Sequence, residues 1–276
     1  MDLADVLAFF EARLRDAPPE FRRSDSDAVY RGVIGRAQRA DHPAFARVAA
    51  HIPGHWTPAA AFAAGAAGET PAALSVLSVA FLMNTRSIAE NAAQRDYPAR
   101  SWYETRKQWN AFHPATARAG IDWLAGRGAR AVCPPFAPGY WQSMGDDSPH
   151  GSAWSERHVG WACGLGTFGL QGAFITEQGV CLRLMSFVVT APFASYGEAD
   201  PDPFGGCLYL HDRTCGACAD RCPTGGVTRQ GRNIAACRAT VIGRNTDYAR
   251  AAFGIDAHGC GLCMTATPCA LRRPRP

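Results

Sequence analysis

Lysine is almost missing from this chain. Lys107 is the only one, so the net charge of +4 rests almost entirely on arginine. The bias reads as genome composition first and function second. A charge this small leaves no electrostatic footprint for nucleic acid or a membrane surface. Charged residues make up only 19% of the 276 residues, somewhat below the average for soluble domains. Long apolar runs are missing too. A spanning helix needs about 18 consecutive apolar residues. The best candidate, Leu74 to Met83, is shorter and is interrupted by Ser75 and Ser78. Met1-Asp2-Leu3 opens with neither a basic stretch nor a twin-arginine pair, so no export signal is read there. These absences lead to the expectation of a cytoplasmic protein with no membrane partner. No internal repeat is found in the first 200 residues, and 47% hydrophobic residues can fill a substantial core.

Cysteine, by contrast, is plentiful. Eleven cysteines in a reducing compartment favour metal ligation over a disulfide framework. Cys133, Cys163 and Cys181 lie apart and read as small buried hydrophobes. The other eight fall between Cys207 and Cys269, the sharpest compositional boundary in the chain. Asp200-Pro201-Asp202-Pro203 reads as the linker before them. Two domains are expected, residues 1–200 and 201–276.

The first part mixes helix and strand signals. Asp2 can cap a helix over residues 2–15, with Leu3, Val6, Leu7, Phe10 and Leu14 on one face. Residues 72–83 predict a buried strand. Residues 101–126 predict a helix that Pro114 breaks or kinks. Ala129 to Cys133 predicts a short strand, and Ser155 can cap a helix from Glu156 to Cys163. Ala173–Thr176 and Cys181–Thr190, joined by Glu177-Gln178-Gly179, carry a hairpin signal. Residues 22–68 give no clear pattern. The mixture points to an α+β fold rather than a regular βαβ series.

Cys215-Gly-Ala-Cys218-Ala-Asp-Arg-Cys222-Pro223 has the spacing C-x2-C-x3-C-P of the last three cysteines in a bacterial ferredoxin run. In such runs the cysteine before proline ligates the other cluster. The position expected for a first cysteine holds Asp212, and Cys207 is the nearby replacement. Interleaving by that rule uses every cysteine. One 4Fe-4S cluster takes Cys207, Cys215, Cys218 and Cys269; the second takes Cys222, Cys237, Cys260 and Cys263. The competing reading is two zinc sites of four cysteines each. Zinc ribbons usually show two separated C-x2-C pairs, and the C-x3-C-P step is not typical of them.

Upstream stand Ser155-Glu156-Arg157 and Gly164-Leu165-Gly166-Thr167-Phe168-Gly169. Together with the cysteine set, over about residues 150–276, these resemble the epoxyqueuosine reductases and their relatives, the reductive dehalogenases. The resemblance implies a nitroreductase-like cobalamin-binding domain followed by a ferredoxin-like domain with two 4Fe-4S clusters. It implies cobalamin in its base-off form, and reduction of a small organic substrate through Co(I), with electrons relayed by the clusters. An external donor such as a ferredoxin or flavodoxin supplies them. The alternative is an electron-transfer or cobalamin-reducing or delivery protein with no substrate chemistry of its own. The helical-repeat extension tied to tRNA binding in many epoxyqueuosine reductases is not found here, so nucleic acid is not expected as a partner.

The same resemblance nominates site residues. His150 stands where epoxyqueuosine reductases carry the Asp proposed as proton donor. An imidazole titrating near neutrality suits a general acid, and otherwise His150 is a surface turn residue. Tyr140 is a second candidate donor. Trp154, Glu156, Arg157, Gly164, Gly166, Thr167, Phe168 and Gly169 are expected around the corrin. Without the resemblance, Glu156 and Arg157 are a charged first helical turn, the glycines a tight turn and the aromatics core. Trp161 carries the same two readings. Arg86 belongs to a solvated face or meets an anionic group, and His211 and His258 neighbour the cluster cysteines without being ligands.

Overall fold

A computed structural model describes residues 1–67, 71, 73–143 and 151–275. Helix α1 (Leu3–Arg15) starts where the Asp2 carboxylate accepts the Ala4 N–H at 2.9 Å, and it buries Val6, Phe10 and Leu14. Each such side chain contributes about 1.5–3 kcal/mol when removed from water. Strand β1 (Tyr30–Arg39) follows, then α2 (Pro43–His51) and α3 (Pro58–Gly65). Both helices open on a proline, whose missing N–H costs nothing in the first turn. Strand β2 (Ser75–Met83), α4 (Thr85–Ala92), α5 (Arg100–Ala125) and β3 (Ala131–Val132) come next. Then come β4 (Gln142–Ser143), β5 (Gly151–Ser152), α6 (Glu156–Ala162), β6 (Thr167–Phe168), β7 (Phe174–Ile175) and β8 (Leu182–Val189). The last part carries α7 (Leu208–Asp212), α8 (Ala217–Asp220), β9 (Val227–Thr228), β10 (Gly231–Arg232), α9 (Ile234–Arg238) and α10 (Asn245–Phe253).

The main sheet runs β1-β2-β8-β3 with every neighbour antiparallel, as an α+β fold requires. Strand β2 is buried at all nine positions because both faces of the sheet are covered. Leu77, Val79 and Phe81 meet Phe10, Trp109 and Phe187 on one face. Val76, Ala80 and Leu82 meet Phe45, Phe62 and Trp154 on the other. Among the described residues no helix is long and apolar enough to cross a membrane.

Several expectations change. The turn between Thr176 and Gly179 forms, but the runs beside it do not pair as a hairpin. Strand β7 pairs with β6, and β8 joins the main sheet. Helix α5 continues through Pro114 instead of breaking. Burial of Trp102, Trp109, Phe112 and Leu124 offsets the roughly 3 kcal/mol that an interior proline costs. The strand signals at 72–83 and 129–133 shrink to Ser75–Met83 and Ala131–Val132. The unreadable stretch 22–68 holds an edge strand and two helices. Asp200 and Pro203 are no loose linker. The Asp200 carbonyl accepts the Trp161 indole N–H at 3.0 Å, its carboxylate pairs with Arg273 at 2.9 Å, and the Pro203 carbonyl accepts the Phe168 N–H at 2.7 Å.

Candidate functional site

The eight clustered cysteines separate into two electrostatic neighbourhoods. Burial raises the Cys218 thiol to about 12, and the charges of Cys269, Cys207 and Cys215 push the same way. Cys269 is raised by burial and by Cys207 and Cys215, against hydrogen bonds from Thr267 and Gln171. Cys260 is raised by burial and then by Cys237 and Cys222. Cys263 is raised by burial and then by Cys260 and Cys237, with smaller effects from Cys218 and Cys222. Cys207, Cys215, Cys218 and Cys269 thus neighbour one another as the expected first group, and Cys222, Cys237, Cys260 and Cys263 are the expected second group, although Cys263 feels Cys218 ahead of Cys222 where the two meet. Among the described residues no three His, Cys, Asp or Glu side chains form a site for a single metal ion.

Hydrogen-bond donors point at several of these sulfurs. The Leu170 N–H reaches Cys207 at 3.4 Å, and the Gln171 amide reaches Cys269 at 3.8 Å. The Val227 N–H reaches Cys222 at 3.3 Å, and Arg232 reaches Cys237 at 3.2 Å. Such donors stabilise thiolate and set cluster potentials. Two glycines make room for the second group. A Cβ at Gly226 would press on the backbone of Cys237, and one at Gly261, which has φ +69°, would run into the Trp102 indole.

Two cavities adjoin this region. The smaller, about 540 Å³, is lined by all four cysteines of the second group. Its wall also carries Met83, Trp102, Arg106, Arg183 and His258. Nε of Arg106 and of Arg183 is buried there without a hydrogen-bond partner. Burial and then Arg183 bring the Arg106 guanidinium down to about 10. The larger cavity, about 880 Å³, is walled by Arg47, His51, His158, Trp161, Phe168 and Phe204 among others. Arg157, Gly172, Arg232 and Ile234 line both. Helix α9 leads directly into a π-helical turn, Ala239–Arg244, whose Thr240, Val241 and Ile242 face the smaller cavity. π-turns are common at functional sites, and this one leaves no signal in the sequence.

Helix α6 divides the expected site residues. Its entry is held by His55, whose Nε2 accepts the Ser155 N–H at 2.9 Å while Nδ1 lies 2.8 Å from the Trp56 carbonyl. Those partners require a neutral ring with its proton on Nδ1, and burial lowers the pKa in agreement. Ser155 makes no capping bond; its hydroxyl meets Nδ1 of His158 at 2.7 Å. Arg157 faces the cavities, with a hydrogen bond to the Gly172 carbonyl. Much of its surface stays accessible because it borders a cavity. Glu156 turns the other way. Both its carboxyl oxygens are buried without a well-formed hydrogen bond, although Ser186 lies close enough to offset part of the burial. Burial raises its pKa to about 7. Its charge is felt by Cys133, Cys163 and Tyr140, which marks it as pointing into the core beneath the sheet.

Of the other expected cofactor neighbours, Phe168 and Gly169 line the larger cavity. Trp154 is buried, donates its indole N–H to Ser186 at 2.8 Å and lines neither cavity. Thr167 is buried and accepts the Gly206 N–H at 3.1 Å. A Cβ at Gly164 would strike the backbone of Glu198, and one at Gly166 the carbonyl of Ile175. These two glycines serve close chain packing. Tyr140 lines neither cavity and packs edge-on to Trp56, with ring centroids 6.4 Å apart. His150 lies outside the described residues. Arg86 pairs with Asp25, Asp27 and Glu90 on a solvated face. His211 is exposed, and His258 borders the smaller cavity. Sequence reasoning missed His55, Arg106, Arg183 and Arg232, because isolated histidines and arginines carry no spacing signal.

No family model and no curated protein matches the chain. Its fold is similar to solved structures of reductases. One is the catabolic reductive dehalogenase NpRdhA in complex with 3-bromo-4-hydroxybenzoic acid, at 12% identity and TM-score 0.49, covering 87% of this chain and 30% of that one. Another is an epoxyqueuosine reductase with an epoxyqueuosine-modified tRNA-Tyr stem loop, at 16% identity and TM-score 0.44, covering 96% and 66%. A third is epoxyqueuosine reductase from Streptococcus thermophilus, at 11% identity and TM-score 0.48, covering 100% and 69%. The chain thus spans under a third of the dehalogenase and about two thirds of the epoxyqueuosine reductases. Because one of these proteins is seen with a tRNA stem loop, the expectation against a nucleic-acid partner gains no support from the likeness.

Proposed function

We propose that this chain is an iron–sulfur, cobalamin-dependent reductase of a small organic substrate. Residues 1–200 would form its nitroreductase-like cofactor and substrate domain, and residues 201–276 a ferredoxin-like domain with two 4Fe-4S clusters. The observation that carries the reading is the wall of the smaller cavity. All four cysteines of one group lie on it beside Arg106, Arg183 and His258, so a cluster held by those thiols would take part of this space and border the rest. The donor set suits the clusters: two groups of four thiols, several with N–H donors aimed at sulfur. The cavity also suits a cofactor rich in amide oxygens. Arg106, Arg183 and His258 line it as groups able to meet amide oxygens, and Met83, Trp102 and Leu182 supply apolar wall. When bound, a corrinoid supplies a strongly reducing, nucleophilic metal centre that side chains cannot provide.

The protein's own tasks follow from its residues. Arg106, Arg183 and His258 would hold carboxamides. Arg232, bonded to Cys237, would tune the adjacent cluster. The apolar walls would exclude water from the reduced site. Of the two expected proton donors, Tyr140 stands away from both cavities and is the weaker choice, which leaves His150. Free thiols suit the reducing cytoplasm, and a ferredoxin or flavodoxin would deliver electrons. The test is anaerobic purification and reconstitution with iron, sulfide and cobalamin. About eight irons and one corrinoid per chain are expected. Intact clusters with no retained corrinoid would instead support an electron carrier.

A further inference from the structure

We propose that the larger cavity binds a small organic anion with a flat apolar body. Its carboxylate or phosphate ester sits between Arg157 and Arg232, and its body lies against Phe168 and Phe204. The assignment rests on the reading above only in leaving the smaller cavity to the cofactor.

The charge of the wall comes first. Three arginines, Arg47, Arg157 and Arg232, and two histidines, His51 and His158, line it, with no Asp or Glu. Among the described residues none of the three guanidiniums is paired with a carboxylate. Arg232 also bonds the sulfur of Cys237, but no cysteine lines this cavity, and among the described residues Arg47 and Arg157 make no bond to a cysteine sulfur. The second observation is the repulsion these groups bear. Arg157 is lowered to about 10, by burial first and then by Arg232. His158 is lowered to about 3, by burial first and then by Arg157, so its ring is neutral and the arginines carry the positive charge of the wall. A bound anion would convert that repulsion into attraction. A neutral ligand would leave it, and a cation would add to it.

Shape and polarity point the same way. At about 880 Å³ the cavity falls within the usual range of small-molecule sites, roughly 300–1,000 Å³. Arg47 lies over the Trp161 ring at 4.8 Å, so the aromatic face holds this cation at the wall, and Phe168 and Phe204 supply the accessible ring surface. The Arg157 guanidinium is anchored on the Gly172 carbonyl, which directs its remaining donors elsewhere. Phe204 and Ile234 line the wall while 46% and 38% exposed. They are among the few large hydrophobics that folding leaves in water, and a bound apolar body would cover them.

The test is calorimetric titration of the cluster-loaded chain, prepared anaerobically, with benzoate, phenyl phosphate and neutral benzamide. One site per chain is expected, with an anion bound at least about tenfold more tightly than benzamide, since hydrogen bonds to charged groups are worth about 1.5–3 kcal/mol. The ratio of benzoate to phenyl phosphate then identifies the anion preferred. Arg157→Gln and Arg232→Gln should each weaken the anion about tenfold and leave benzamide unchanged. Iron content checks their folding, and Arg47→Gln serves if either loses iron. Equal affinity for benzamide and benzoate overturns the proposal. So does release of the anion as cobalamin is loaded, which would give this cavity to the cofactor. Loss of corrinoid with charge-dependent anion binding intact would sink only the cofactor reading.

Discussion

Arg232 donates a hydrogen bond from Nη2 to the sulfur of Cys237 at 3.2 Å, and its guanidinium lines both cavities. One side chain therefore links the second cysteine group to the space where small molecules fit. A cation hydrogen-bonded to a cluster thiolate stabilises the more negative, reduced state. Arg232→Gln should lower the potential of the cluster on Cys237 and leave the other unmoved, the loss amounting to about 1.5–3 kcal/mol at most. A redox titration followed by electron paramagnetic resonance reads this directly. Equal shifts in both clusters would contradict it.

On the proposed interleaving, Cys269 and Cys222 exchange partners across the chain. Cys269→Ser should remove the cluster held by Cys207, Cys215 and Cys218. Cys222→Ser should remove the one held by Cys237, Cys260 and Cys263. Each variant should retain about four of eight irons, and their spectra should be complementary. Loss of the same cluster in both would disprove the interleaving.

Glu156 carries a pH signature. Its folded-state pKa of about 7 lies above the ordinary 4.5. Between those values the unfolded chain ionises and the folded chain does not. Stability therefore falls as pH rises from about 4.5 through about 7, then levels off. Glu156→Gln removes this loss. Its advantage should be small near pH 5 and reach about 3 kcal/mol at most near pH 8. Denaturant unfolding of both proteins at the two pH values measures it.

Thr167 belongs to the chain's own packing. Thr167→Val leaves the Gly206 N–H buried without its acceptor and should cost about 1–3 kcal/mol. Corrinoid retention at a temperature where the variant stays folded should match the parent protein. A selective loss of corrinoid with unchanged stability would return Thr167 to the cofactor site.

Much was legible where chemistry is local. Asp2 caps α1 as its position demands, and the apolar run before Met83 is a strand buried on both faces. The cysteine spacing suggested two groups of four, and in the fold Cys222, Cys237, Cys260 and Cys263 line one cavity. Less legible were elements that depend on distant partners. The 173–176 and 181–190 runs read as a hairpin, yet β8 pairs with β2, more than 90 residues earlier. Pro114 read as a break, but the burial of α5 against the sheet outweighs it.

Glu156 and Arg157 mark the line between the two kinds of knowledge. As neighbours in sequence they read as one pair beside a cofactor. In the fold one enters the core under Ser186 and the other lines both cavities, because adjacent residues on a helix project about 100° apart. The sequence alone determined which residues are chemically able to hold clusters, since ligand type and spacing are written into the chain. Only the tertiary structure decided where cations gather. Arg47, Arg157 and Arg232 come from three distant segments, and packing alone brings them to one wall.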